Sequence, residues 1–236
     1  MANKLINGKL QTTTSHFIEL VRKSVPPVHP AANPFIVGAL ATAALAGRCP
    51  LLRKLSLGAA VAFAGFFRNP PRVTPVGFAL VTAVADGEIC TVDEATPPPE
   101  AGFEPNTKCR RVSTFLSIVD VHVQRAPVSG RVTVSEHVAG TFLSADLPEA
   151  SETNERNTIV IETPSGNKIV SVQVAGMVAR RIICDAAVDD ALTAGEVYGL
   201  IRFGSRVDLY LPLDADIAVL PGQRAVGGET VIARLS

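Results

Sequence analysis

Two different periodicities divide this chain. From Pro34 to Gly47, and again from Leu55 to Phe67, the residues are apolar or small with almost no polar position, and Arg48-Cys49-Pro50-Leu51-Leu52-Arg53-Lys54 separates the two runs. Their length and their Ala and Gly content (Ala39, Ala41, Ala43, Ala44, Gly58, Ala59, Ala60) predict two closely packed helices lacking a polar face. Each run is shorter than the ~20 residues that cross a bilayer. The pair therefore reads as a hairpin embedded in, or lying at, a membrane interface, with a hairpin buried in a soluble core as the alternative. Pro70-Pro71 stops the second helix.

From Phe78 onward the pattern changes to short β-branched runs of period two, punctuated by Gly, Pro and Asn. Phe78 to Val84, Cys109 to Val123, Gly130 to Ala145, and Thr158 to Ala175 with a turn at Pro164-Ser165-Gly166-Asn167 all read as strands or hairpins. Two further strands follow Ser205, with turns at Pro221-Gly222 and Gly227-Gly228. The expected fold is mainly β, a compact barrel or sandwich of the barrel-sandwich-hybrid kind, preceded by the apolar helical hairpin. The expected division is 1–72 for the N-terminal segment and 73–236 for the β-rich domain.

Composition narrows the function classes. Lys and Arg together balance Asp and Glu, so no basic surface asks for nucleic acid. Cys49, Cys90, Cys109 and Cys184 are scattered without metal-ligand spacing, and read as free thiols of a reducing compartment. Met1 to Pro30 is polar and irregular and lacks the apolar core of a signal peptide. His16 and His29 within it, and His137 in a polar stretch, read as solvated.

One stretch breaks its own pattern. Gly199 to Pro212 reads as a single strand whose later half alternates Val207, Leu209 and Leu211 with Asp208 and Tyr210, one face buried. Gly204-Ser205 interrupts it, between Arg202 and Arg206. A Gly-Ser pair inside a strand is ordinarily a bulge. The sharper reading is a self-cleaving peptide bond, in which a strained serine hydroxyl attacks the preceding carbonyl. Glycine favours this because no Cβ blocks the approach.

Ile201-Arg202-Phe203-Gly204-Ser205-Arg206-Val207-Asp208 resembles the cleavage motif of the phosphatidylserine decarboxylase proenzymes in their short form. Phe66-Phe67-Arg68-Asn69-Pro70-Pro71-Arg72, Ala85-Asp86-Gly87, Phe115-Leu116-Ser117 through Asp120-Val121-His122 to Arg125-Ala126-Pro127, Asn154-Glu155-Arg156, and Gln173-Val174-Ala175-Gly176 with Ala179-Arg180-Arg181-Ile182 are further matches in the order of that family. The likeness runs from about Ala31 to the C-terminus.

The resemblance implies cleavage between Gly204 and Ser205 into a large and a small chain that stay together as a heterodimer, and it does not fix any higher oligomer. It implies that Ser205 becomes a covalent pyruvoyl group, which captures the amine of phosphatidylserine as a Schiff base and yields phosphatidylethanolamine and carbon dioxide. His122 would act as acid and base, with Asp86 orienting and charge-stabilising its ring. Long-form relatives carry a second histidine where this chain has Arg125, which leaves the base for self-cleavage open between His122 and Asp86 acting through water. Arg125, Arg202, Arg206 and Arg156 are the expected contacts for the lipid phosphate or carboxylate, and no metal is expected. The expected location is the cell membrane, peripheral or hairpin-anchored, at the cytoplasmic face. Two alternatives remain: a decarboxylase of an ether-type serine phospholipid, and a non-enzymatic membrane-anchored carrier or adaptor barrel. The second would need a modifiable lysine at a tight turn, and Lys168 lacks the carrier motif.

Overall fold

The computed structural model describes residues 4–6, 9–11, 25–144, 150–177, 181–202 and 205–236. His16, Arg180 and Gly204 lie outside the described residues. The chain divides into two compact units, Met1–Pro71 and Arg72–Ser236.

In the first unit, β1 (Lys4–Ile6) pairs antiparallel with β2 (Lys9–Gln11), so the segment expected to be irregular holds a short ladder. Helix α1 (Asn33–Leu45) and helix α2 (Pro50–Phe66) form the hairpin. Helix α2 begins at Pro50, earlier than its apolar run suggests, because proline is pre-organised for a first helical position and Leu51 to Lys54 are good helix formers. Phe35 packs on Phe63 and Phe67 at ring-centroid distances of 5.2 and 5.5 Å, which joins the helices. Ala43 and Ala60 are buried, while Leu45, Leu51, Leu55 and Val61 are exposed. Among the described residues no helix is long and apolar enough to cross a membrane. His29 is buried rather than solvated: its Nδ1 accepts from the Ala31 amide and caps the 3-10 turn at Pro30–Ala32.

The second unit is mainly β and is built on a curled, half-barrel sheet. Its strands are β3 (Leu80–Thr82), β4 (Gly87–Ala95), β5 (Cys109–Leu116), β6 (Val123–Arg125), β7 (Gly130–Val138), β8 (Arg156–Glu162), β9 (Lys168–Ala175), β10 (Ile182–Cys184), β11 (Ala191–Leu192), β12 (Val197–Ile201), β13 (Ser205–Leu211), β14 (Asp216–Ile217), β15 (Arg224–Ala225) and β16 (Val231–Arg234). The eight-stranded sheet runs β11-β7-β8-β9-β13-β5-β4-β15, and two three-stranded sheets run β10-β12-β6 and β14-β16-β3. Runs such as Thr158-Ile159-Val160-Ile161 and Ile169-Val170 supply the β-branched side chains that a pleated surface favours. The β8–β9 hairpin turns where the sequence predicts, with Gly166 at φ +85°.

Both faces of the large sheet are covered. Ile89, Val112, Leu116, Ile159, Ile161, Val207 and Leu209 belong to one core, and Val160, Val170, Val172, Val174 and Tyr210 to another. This overturns the one-faced reading of β13, every residue of which is buried. Its alternating polar positions face a second packed layer rather than water. The stretch 199–212 is also not one strand: β12 ends at Ile201 in a small sheet, and β13 begins at Ser205 in the large one. The chain changes sheets between Ile201 and Ser205.

Candidate active site

Ser205 opens β13 between two neighbours, paired with Leu116 at the end of β5 and Ala175 at the end of β9. The start of β4 reaches the same edge, where a Cβ on Gly87 would fall 2.3 Å from the Phe115 oxygen, so only glycine lets β4 lie this close. Four strand ends thus gather around one serine. Ser205 is fully buried, and its hydroxyl has no hydrogen-bond partner among the described residues. An unsatisfied buried hydroxyl costs roughly 1–3 kcal/mol and calls for a functional explanation.

His122, also fully buried, lies just before β6. Its Nδ1 is 3.0 Å from the main-chain oxygen of Asp120. A carbonyl can only accept, so Nδ1 carries a proton, and in the neutral ring Nε2 is the basic nitrogen. The His122 carbonyl itself accepts from Gln124 Nε2 at 2.8 Å and from the Ile201 amide at 3.2 Å. Gln173 Nε2 donates to Gln124 Oε1 at 2.9 Å and to the Ile183 carbonyl at 3.2 Å. A Cβ on Gly199 would lie 2.4 Å from that carbonyl and 2.9 Å from Gln173 Nε2, so β12 carries glycine where the amide passes. These buried amides tie the histidine to the end of β12, three residues before Gly204.

Asp120 is the site residue that sequence reasoning passed over. Its carboxylate accepts from the Ser117 amide at 2.8 Å and the Ser117 hydroxyl at 2.6 Å, and it pairs with the Arg224 guanidinium. Burial alone would raise its pKa, but the bonds from Ser117 and Arg224 outweigh that and hold the carboxyl below its usual range. The signal was present as Ser117-x-x-Asp120, a local side-chain-to-backbone turn.

Asp86 follows β3: Arg72 forms an ion pair with it at 2.6 Å, and the Gly227 amide donates to it at 2.8 Å. Arg125 is buried and donates to the Gly195 carbonyl at 2.9 Å. Burial pushes its guanidinium pKa down and the like charge of Arg72 adds to this, against Asp86 and Glu229. The Arg202 amide donates to the Arg181 carbonyl at 3.2 Å. Burial and then the charge of Arg181 lower the Arg202 pKa.

Two expected substrate contacts are placed elsewhere. Arg206 follows Ser205 directly, so alternation turns it to the opposite face. There its Nε lies 2.9 Å from Asp208, whose other oxygen accepts from Ser151 at 2.7 Å. Arg156 shares that face through the register Arg156–Val174–Arg206, and it pairs with Glu100 at 2.6 Å. Both guanidiniums brace the second layer, away from Ser205.

The family model for phosphatidylserine decarboxylase matches residues 60–233, which include Asp86, His122, Gly204 and Ser205. The chain belongs to the phosphatidylserine decarboxylase family. It is 56% identical over 230 residues to the phosphatidylserine decarboxylase proenzyme of Nocardia farcinica, covering 97% of each chain. The proenzyme of the same name from Mycobacterium tuberculosis is 57% identical over 218 residues, 92% of this chain and 94% of the relative. That of Mycobacteroides abscessus is 54% identical over 220 residues, 93% and 92%. In this decarboxylase the gathered strand ends at Ser205 therefore belong to an enzyme of phospholipid metabolism.

Proposed function

We propose that this decarboxylase cuts its own backbone between Gly204 and Ser205, and that the pyruvoyl group so formed converts phosphatidylserine to phosphatidylethanolamine and carbon dioxide. The carrying observation is the Ser205 hydroxyl, buried and unpartnered among the described residues at the point where the chain changes sheets. In the proposed maturation Ser205 Oγ attacks the Gly204 carbonyl carbon, the Gly204–Ser205 C–N bond breaks, and the hydroxyl proton ends on the freed amine. Loss of the α-proton and cleavage of the Cβ–Oγ bond then release Gly204 as a carboxylate. Hydrolysis of the dehydrated residue 205 by water expels ammonia and leaves a ketone.

His122 is the proton carrier in this reading. With Nδ1 committed to the Asp120 carbonyl, Nε2 takes the Ser205 proton during cleavage and later delivers one to the substrate α-carbon. Asp86, anchored by Arg72 and the Gly227 amide, supplies negative charge that favours the imidazolium. Arg125 and Arg202 hold the lipid phosphate or carboxylate. A pyruvoyl ketone at residue 205 would supply the electron sink for loss of carbon dioxide from the substrate. The enclosure of residue 205 fits such a group, because few waters there compete with the amine for the ketone carbon.

The two pieces, 1–204 and 205–236, remain paired as a heterodimer through the ladders of β13. The exposed apolar side chains of α1 and α2 support an interfacial, hairpin-anchored membrane association. Intact mass tests the reading. A fragment starting at residue 205 is expected, about 17 Da lighter than one with an N-terminal serine, the net loss of ammonia when a serine nucleophile ends as a pyruvoyl group. Ser205→Ala is expected to stay one chain and to make no phosphatidylethanolamine. A full-length wild-type chain that still decarboxylates would overturn the proposal.

A further inference from the structure

The sheet end that holds Ser205 carries an apolar rim. The turn after β5 presents Ile118 and Val119, 65% and 76% exposed, and Met177 just beyond β9 is 65% exposed. Phe142 and Leu143, beyond β7, are partly exposed at the same end. Three separate loops thus bring apolar side chains to the edge where β13 begins.

These side chains are held out rather than folded away. The Asp120 amide donates to the Ser117 carbonyl at 2.9 Å, and Asp120 clamps Ser117 in return, which fixes Ile118 and Val119 at the tip of a closed turn. Asn154, fully buried, donates to the Leu143 and Ala175 carbonyls at 2.8 Å each and accepts from the Leu143 amide at 2.9 Å. Since Ala175 is the β9 partner of Ser205, Asn154 couples the rim directly to the reactive edge. Arg224, at the base of the first turn, and Arg181 are exposed cations beside it.

We propose that this rim is the surface through which the catalytic unit docks onto a phospholipid bilayer, with Ile118, Val119 and Met177 entering the interface. A braced apolar tip flanked by arginines suits an anionic lipid surface. Exposed apolar groups clustered at one site mark such contacts. The inference rests on the proposed site at Ser205, because its purpose is to bring a headgroup to that edge while the acyl chains stay in lipid.

The chain contains no tryptophan, so single insertions report locally. Ile118→Trp and Met177→Trp, with Leu213→Trp beyond the other end of β13 as control, are to be read with vesicles of phosphatidylcholine and phosphatidylglycerol. Emission is expected to shift to the blue and to be quenched by bromo-acyl lipid at 118 and 177 but not at 213. Vesicle-bound protein with no shift at 118 would overturn the proposal. So would a blue shift without lipid that grows with protein concentration, which would mark a second copy as the occupant. As a second arm, Ile118→Asp with Val119→Asp is expected to raise KM for vesicle phosphatidylserine at least about tenfold, the scale of one lost apolar insertion, with turnover of dispersed short-chain phosphatidylserine kept. Equal loss on both substrates would also overturn it. The mass of the small fragment separates these outcomes from failure of the cleavage reading, since the emission readout needs no catalysis.

Discussion

The Nδ1 nitrogen of His122 lies 3.0 Å from the main-chain oxygen of Asp120, while the carboxylate of the same aspartate is held by Ser117 and Arg224. One residue thus sets the imidazole tautomer with its backbone and the turn geometry with its side chain. Arg224 lies C-terminal to the proposed cut, so the small piece would help to aim the histidine of the large one. Arg224→Ala is expected to lower kcat about tenfold to a hundredfold, the scale of a small misplacement of a reacting group. KM for dispersed short-chain phosphatidylserine should change little and Arg224→Lys should recover part of the rate. Steady-state kinetics and the ring-nitrogen chemical shifts of His122 check this.

Gln173 is fully buried and donates to two acceptors. Gln173→Leu would leave Gln124 Oε1 and the Ile183 carbonyl short of a donor, at about 1–3 kcal/mol for each group left unsatisfied. Gln173→Glu should be worse, since an ionised carboxylate cannot donate to either. Denaturant unfolding measures the stability loss, and the rate of fragment appearance shows whether the end of β12 has shifted.

Asp208 is fully buried against Arg206 and Ser151. Removing one member leaves an uncompensated buried charge, so Asp208→Ala is expected to destabilise by about 3–5 kcal/mol. Because the pair stands on the face away from Ser205, replacing both partners together by Met and Leu should restore most of the stability and leave KM for phosphatidylserine unchanged. Unfolding curves of the single and double variants, with kinetics on the double, decide it.

Burial alone would raise the Glu100 carboxyl, but the bond from Arg156 and further bonds from the backbone and Thr158 hold it below the usual range. A depressed folded pKa adds stability that is complete above the unfolded value of about 4.3 and is lost as pH falls through the folded one. Stability should therefore drop in acid below about pH 4–5, with Asp120 contributing to the same limb. Glu100→Gln is expected to flatten that limb and leave a lower plateau at neutral pH. Denaturation midpoints across the acid range provide the measurement.

Period and composition sufficed for the helical hairpin, the β-rich unit and the β8–β9 turn, since each depends on local pattern. The Gly-Ser pair and His122 could be singled out by motif, and they lie on segments joined by the bond from the Ile201 amide to the His122 carbonyl. What the sequence does not display depends on which layers cover which face. Arg206 and Arg156 look like free cations in sequence, and only the register across β8, β9 and β13 shows them turned away and paired. Asp120 was hidden for a related reason: its backbone, which no side-chain pattern reports, is what touches the histidine.

Ile201 and Ser205 bound a crossing between sheets, so a chain opened at residue 204 keeps the pairs of β12 with β6 and β10, and those of β13 with β5 and β9. The shorter piece would then be a central stave of the large sheet rather than a bound peptide. Releasing it would mean opening the ladders on both of its sides, so dilution alone would act slowly. The working life of the matured protein would be set by how fast the whole sheet unfolds.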